Sequence, residues 1–403
     1  MTDRFLPYGR QVLDAEDIAA VTAVLRGDWL TTGPMVEGFE AALAAKVGAR
    51  FAVACSSGTA ALHLAVLAAG IRQSDRAVVP SMTFLATANA VRYADAEAVF
   101  ADVDGETGLL RAQDVEAAID GTDGLVRAVL PVHLAGQCVD LPAIAGVARS
   151  RGMVVIEDAC HALGSTYTAG GETILVGSCR HSDMAVFSFH PVKAITTGEG
   201  GAVTTNDPRL YERLKLLRSH GMTRNPAEFE NAELAFAADG RPNPWYYEMP
   251  EVGFNYRASD INCALGLSQL GKLDRFVERR RALVATYDRL LAPLAPAILP
   301  PERAPNCNPA WHLYAPRFQF REIGIEREAL MKRLQSAGIG TQVHYIPVHL
   351  QPYYRRRCGE QQLPGAMHYY RATLSLPLFP EMTDDDVLRV VDALRHSTET
   401  FAK

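Results

Sequence analysis

Residues Phe187-Ser188-Phe189-His190-Pro191-Val192-Lys193-Ala194-Ile195-Thr196-Thr197-Gly198-Glu199-Gly200-Gly201 join an apolar run, Met184 to Ser188, to a second one, Ala202 to Thr205. Both runs are short and free of charge, the pattern of strands buried within a sheet. Lys193 follows the first of them and leads into a Thr/Gly-rich turn, where the backbone can approach a ligand closely. A lone lysine after a buried strand is ordinarily a surface residue. Its amine is also the side chain that forms a Schiff base once its surroundings favour the neutral form.

The same rhythm recurs on both sides. Strands are predicted at Phe51 to Ala54, Ala77 to Pro80, Ala98 to Ala101, Val126 to Pro131 and Val154 to Glu157. Helical patterns separate them at Thr59 to Ala69, Leu85 to Tyr93, Leu141 to Arg151 and Pro208 to Arg218. Alternation of this kind predicts an α/β fold with a mostly parallel wound sheet. The polar, aromatic segment Gly221 to Tyr256, with four prolines, reads as an excursion folding over something. One long helix is then expected from Ala258 to Leu291. After a cluster of prolines, a smaller α+β domain follows, with a strand at Leu313 to Phe320 and helices at Glu326 to Gly338 and Asp384 to His396. The expected domains are an N-terminal arm (1–13), a large domain (14–257), and a linking helix with a small C-terminal domain (258–403).

A chain of 403 residues, 48% hydrophobic, is long enough for two or three sizeable cores, so neither metal nor disulfide staples are required. The net charge of -6 comes without long runs of one sign, which argues against a nucleic-acid groove or a polybasic membrane patch. The seven cysteines are scattered, odd in number and without a C-x-x-C pair, as expected of reduced thiols in the cytoplasm. Met1 to Arg10 lacks the apolar core of a secretory signal. The uncharged stretch Ala52 to Ile71 reads as strand, turn and buried helix rather than a membrane span.

Two further motifs carry chemistry. Val154-Val155-Ile156-Glu157-Asp158-Ala159-Cys160-His161 puts an acidic pair at the carboxyl end of a strand, the edge where open α/β sheets bind ligands. An Asp there either caps a helix or holds the protonated ring nitrogen that pyridoxal phosphate needs as an electron sink. Cys55-Ser56-Ser57-Gly58-Thr59-Ala60 is a strand, a small-residue turn and a helix start, either an ordinary cap or an anion site. No Walker loop, dinucleotide fingerprint, G-x-S-x-G elbow or H-E-x-x-H pair competes, and no metal is expected.

Together with Trp29-Leu30-Thr31-Thr32-Gly33-Pro34, Pro80-Ser81-Met82-Thr83-Phe84 and Gly253-Phe254-Asn255-Tyr256-Arg257, these motifs resemble the DegT/StrS sugar aminotransferases over nearly the whole chain. The resemblance implies the aspartate aminotransferase fold (fold type I) and pyridoxal 5'-phosphate as cofactor. Carried over position by position, it implies that Lys193 holds the cofactor as a Schiff base and shuttles protons. It pairs Asp158 with the ring nitrogen, sets His161 (Gln in many relatives) near the ring hydroxyl and stacks Phe84 on the ring. Gly58, Thr59 and Ser188 would hold the phosphate, with Asn255 and Arg257 reaching in from a second subunit of a homodimer. Tyr8, the segment Asp28, Trp29, Leu30 and Thr31, and the segment His344, Tyr345, Ile346 and Pro347 would contact a nucleotide sugar.

Three stretches, Phe187 to Lys193, Pro244 to Met249 and Val343 to Tyr354, look closest to the 4-aminotransferases of the pseudaminic acid pathway. The expected reaction moves an amino group from L-glutamate to C4 of a UDP-linked 4-keto-6-deoxy sugar. The alternatives are a perosamine-type GDP-sugar or a 3-keto sugar as acceptor, or a non-catalytic regulatory protein that binds the cofactor. The family's dehydratase branch carries His in place of the lysine, so Lys193 speaks against it.

Overall fold

The structure is a computed structural model describing residues 4–399. Residues 1–3 of the expected arm and 400–403 of the expected C-terminal domain lie outside the described residues. The strands are β1 (Phe51–Cys55), β2 (Arg76–Pro80), β3 (Glu97–Ala101), β4 (Val126–Val129), β5 (Val154–Asp158), β6 (Thr166–Ala169), β7 (Glu172–Leu175), β8 (Met184–Ser188) and β9 (Gly201–Thr205). All but the β6–β7 hairpin form one sheet in the order β1-β9-β8-β5-β4-β2-β3. From β8 to β3 the neighbours are parallel, while β9 runs antiparallel to both β1 and β8. Every strand expected in the first half of the chain is there, and the sheet is mostly parallel.

Parallel strands need crossovers, and the helices α1 (Ala15–Leu25), α2 (Pro34–Val47), α3 (Gly58–Ala68), α4 (Leu85–Tyr93), α5 (Ala112–Asp120), α6 (Leu141–Ser150) and α7 (Pro208–Arg218) supply apolar cover. The period of two sends Ala52, Ala54, Ala185 and Phe187 into one core layer, and Val53, Cys55, Met184 and Val186 into the other. Helix α3 is buried on almost every side, which accounts for the uncharged stretch without a membrane. No helix among the described residues is long and apolar enough to cross one.

Beyond the short α8 (Ala232–Ala235), the expected long helix is two helices, α9 (Asp260–Leu270) and α10 (Leu273–Leu291). The break falls at Gly271, a residue about 1 kcal/mol poorer than Ala in a helix. There Lys272 turns its ammonium onto Asp14 and Asp17 at the start of α1. The remainder comprises β10 (Ile298–Leu299), β11 (Cys307–Asn308), β12 (Arg317–Phe318), α11 (Phe320–Ile323), α12 (Arg327–Ser336), α13 (Pro352–Cys358), α14 (Pro364–Ala372) and α15 (Asp384–Glu399). The strand expected over Leu313 to Phe320 is reduced to Arg317–Phe318, because Pro316 interrupts it and has no N–H for a ladder. A separate core gathers Leu283, Tyr287 and Leu291 of α10 with Leu330, Leu334, Leu376, Val387 and Leu394. Leu6 joins it: its N–H donates to Gly338 O, and Gly340 N–H donates to Leu6 O.

Candidate active site

The carboxyl ends of β1, β5 and β8 meet at one edge of the sheet, around a cavity of about 580 Å³. Tyr8, Gly58, Thr59, Phe84, Asp158, His161, Ser188, Lys193, His344, Tyr345 and Ile346 line it, so most of the residues singled out in the sequence converge there. A larger open groove, about 1050 Å³ between α11 and α14, contains none of them.

Strand alternation separates the acidic pair of β5. Glu157 turns away to His133 Nε2 at 2.9 Å and accepts from Ser182 Oγ. Asp158 faces the cavity. Its Oδ2 accepts from Thr87 Oγ1 at 2.7 Å and its Oδ1 from the Cys160 N–H at 3.2 Å, which fixes the plane of the carboxylate. Burial pushes the Lys193 amine below its ordinary value, opposed by the neighbouring Cys160 and Asp158. At the start of α3, Ser57 Oγ accepts from Ala60 N–H, leaving earlier N–H groups of the first turn free. Gly58 is required there, because a Cβ would stand 2.8 Å from Ser188 Cβ. An N-terminal helix turn and a serine hydroxyl are thereby held in direct contact, an anion cradle.

Histidines and tyrosines form the opposite wall. His161 Nδ1 accepts from the Ala135 N–H at 3.2 Å, and its Nε2 lies 3.1 Å from Tyr345 Oη. The His312 ring packs on His161 with centroids 4.3 Å apart. His344 Nδ1 is 2.8 Å from Ser375 Oγ, and its ring packs 5.2 Å from that of Tyr8. Burial pushes His161 and His312 well below the usual histidine range and His344 down to about 3, so all three imidazoles are neutral near pH 7. Burial likewise pushes the Tyr345 phenol up.

Other expected residues stay outside the cavity of the single chain. Asp28, Trp29, Leu30 and Thr31 are exposed on the connection into α2, and Pro347 follows the cavity segment without lining it. Asn255 and Arg257 pair through their backbones with Ser219 and Cys55, and neither side chain has a partner among the described residues. No part of the excursion Gly221 to Tyr256 lines the cavity, and Trp245 is 74% exposed. Sequence reasoning missed Thr87, Ala135 and His312. Thr87 was accessible, since Thr83 and Thr87 stand four apart where Phe84 opens α4; Ala135 and His312 act through tertiary placement, which leaves no local signal.

These residues fit pyridoxal phosphate: a desolvated lysine amine, an oriented carboxylate on a neighbouring strand and an anion cradle all face one cavity. The mostly parallel sheet with this site at its carboxyl edge defines a fold-type-I, pyridoxal-phosphate-dependent aminotransferase. A family model for the DegT/DnrJ/EryC1/StrS aminotransferases matches residues 11–395, and the chain belongs to that family. It is 39% identical over 396 residues to the spore coat polysaccharide biosynthesis protein SpsC of Bacillus subtilis (strain 168), covering 98% of this chain and 97% of that one. Among solved structures it superposes on Helicobacter pylori PseC, an aminotransferase involved in pseudaminic acid biosynthesis, with a TM-score of 0.87, 29% identity and coverage of 99% and 100%. The PLP form of Spr1654 from Streptococcus pneumoniae gives a TM-score of 0.85 at 26% identity, covering 98% of this chain and 99% of that one.

Proposed function

We propose that the chain moves the amino group of L-glutamate to C4 of a UDP-linked 4-keto-6-deoxy N-acetylhexosamine, a step of pseudaminic acid-type sugar biosynthesis in the cytoplasm. The observation that carries the reading is the desolvated Lys193 amine beside the oriented Asp158 carboxylate in one cavity. Pyridoxal phosphate supplies a carbonyl that takes up the amino group and a ring that spreads the negative charge left on carbon by proton removal.

In this reading Gly58, Thr59 and Ser188 hold the phosphate, and Phe84 covers one face of the ring. Asp158 keeps a proton on the ring nitrogen, and the N–H and O–H groups donated to it hold the carboxylate in place. Lys193 anchors the cofactor. When free, its Nζ would take the proton from the donor's α-carbon and return a proton to the sugar's C4 in the second half-reaction, a role that burial of the amine favours. His161 would donate from Nε2 to the ring hydroxyl oxygen in place of the Tyr345 Oη it faces. Tyr8 and His344 to Pro347 meet the sugar nucleotide. Asn255, Arg257 and the Asp28 to Thr31 segment complete the neighbouring site of a homodimer, which agrees with their standing outside their own chain's cavity.

Incubating the protein and cofactor with glutamate and a panel of 4-keto and 3-keto nucleotide sugars, followed by product identification, tests the assignment. A 4-amino-4,6-dideoxy UDP-sugar is expected. Conversion of 3-keto or GDP-linked acceptors alone would overturn the substrate, and failure to convert glutamate to 2-oxoglutarate would overturn the catalytic reading.

A further inference from the structure

Cys138 and Cys307, 169 residues apart, meet behind the histidine wall. The Cys138 N–H donates to Cys307 Sγ at 3.0 Å, which brings the second sulfur against the backbone of the first cysteine. Cys138 Sγ is also 3.6 Å from Thr166 O on β6, whose strand pairs with β11, the strand that carries Cys307. Two arginines are held near Cys307, one of them, Arg303, also paired with Asp288. Arg281 is anchored on the carbonyls of Asn308 and Pro309, and Arg303 stacks on the Trp311 ring, 4.2 Å from its centroid.

The chain's thiols differ accordingly. Burial pushes up those of Cys55, Cys160, Cys179, Cys263 and Cys358, and the neighbouring sulfur together with burial does the same to Cys138. Cys307 alone is pushed down, by its hydrogen bonds from Cys138 and by the two arginines. A half-buried thiol made more acidic in this way, and hydrogen-bonded by the backbone N–H of a second cysteine, has the form of an oxidation-sensitive pair.

We propose that Cys307 and Cys138 form a hydroperoxide-sensitive dithiol, with Cys307 as nucleophile and Cys138 as resolving thiol. The Cys307 thiolate attacks one peroxide oxygen; the S–O bond forms, the O–O bond breaks and hydroxide leaves. That hydroxide takes the Cys138 proton, and the freed sulfur attacks Cys307. The S–S bond forms, the S–O bond breaks, and the second hydroxide leaves as water with the proton Cys307 had given up. Two thiols thus lose two electrons to one hydrogen peroxide and yield a disulfide and two waters.

The test treats the full chain with cofactor bound with hydrogen peroxide, counts remaining thiols and maps a non-reducing digest. Two of the seven thiols should be lost together, with a Cys138–Cys307 cross-link that dithiothreitol reverses. Cys138→Ser should stop at the sulfenic acid, giving a dimedone adduct on Cys307. Prior oxidation of another cysteine, or absence of both cross-link and adduct, overturns the proposal. If the variant does not fold, native alkylation of the wild type decides: Cys307 must react with iodoacetamide before Cys160 and Cys358, and slower labelling overturns it.

Discussion

At the scale of single residues, the direction of each hydrogen bond assigns protons. A backbone N–H can only donate, so His161 Nδ1, facing the Ala135 N–H, must accept, and the neutral ring carries its hydrogen on Nε2. Ala135 holds this contact from the left-handed region, φ 59°, a conformation costing about 1 kcal/mol in a residue other than glycine. His161 is thereby a fixed donor at Nε2, which here faces Tyr345 Oη on the cavity lining. His161→Gln keeps an amide donor and should bind pyridoxal phosphate within about threefold of the wild type. His161→Met lacks one and should bind at least about tenfold more weakly, as a lost hydrogen bond to a charged oxygen implies; spectrophotometric titration measures both, and equal affinity of the two variants would refute the donor role. Lys193 gives a second prediction. Because burial lowers its amine, the neutral form persists to lower pH than in a free lysine, and the acid limb of the half-reaction with glutamate should lie below the ordinary lysine value. Lys193→Ala should abolish both turnover and the yellow colour of the loaded protein, so a variant that keeps the colour would displace Lys193 as the anchor.

At the scale of elements, the strands could be read because buried parallel strands leave uncharged β-rich runs, as in β5 and β8. The β6–β7 hairpin was equally legible and went unread: Gly170 and Gly171, with φ 58° and 82°, are the two-residue glycine turn that joins right-twisted strands. The helical pattern ran across Gly271 because only Gly271 and Lys272 separate α9 from α10, and the partners that hold Lys272 at the break, Asp14 and Asp17, lie more than 250 positions away in sequence. The site was legible where an element's end presents a side chain, as with Asp158 on β5 and Ser188 on β8. It was illegible where a contact such as Ala135 to His161 joins separate loops. The tight approach of α3 to β8 is testable. Gly58→Ala places a methyl 2.8 Å from Ser188 Cβ, so the helix start must shift from the strand end. The variant should fold, since the displacement sits at the cavity rim, yet its cofactor affinity should fall about tenfold or more, as expected when one or two phosphate hydrogen bonds are lost. Unchanged affinity would show that this turn does not hold the phosphate.

At the scale of the whole molecule, large apolar side chains stay uncovered on the segments that contribute nothing to their own cavity. Trp29 and Leu30 precede α2, and Trp245, Tyr247, Met249 and Val252 mark the excursion, with Val252 75% exposed. Exposed aromatics of this size normally mark a surface that another chain covers. Asn255 and Arg257 lie at the end of the same excursion with unpartnered side chains, while Phe84, 54% exposed, opens the cavity to the outside. The two-fold dimer proposed above, covering the excursion and completing each cavity with Asn255 of the second subunit, would account for all of these features at once. The arrangement has a consequence no single-chain site shares. Lys193→Ala and Asn255→Ala proteins should each be nearly inactive, but unfolding and refolding them together yields heterodimers with one doubly damaged site and one intact site. Half of a random mixture is such heterodimers, so the mixture should recover about a quarter of wild-type activity. Recovery at that level, measured as 2-oxoglutarate formation against each variant refolded alone, establishes sites shared between subunits; no recovery from two well-folded variants would place Asn255 in its own chain's site or outside the chemistry.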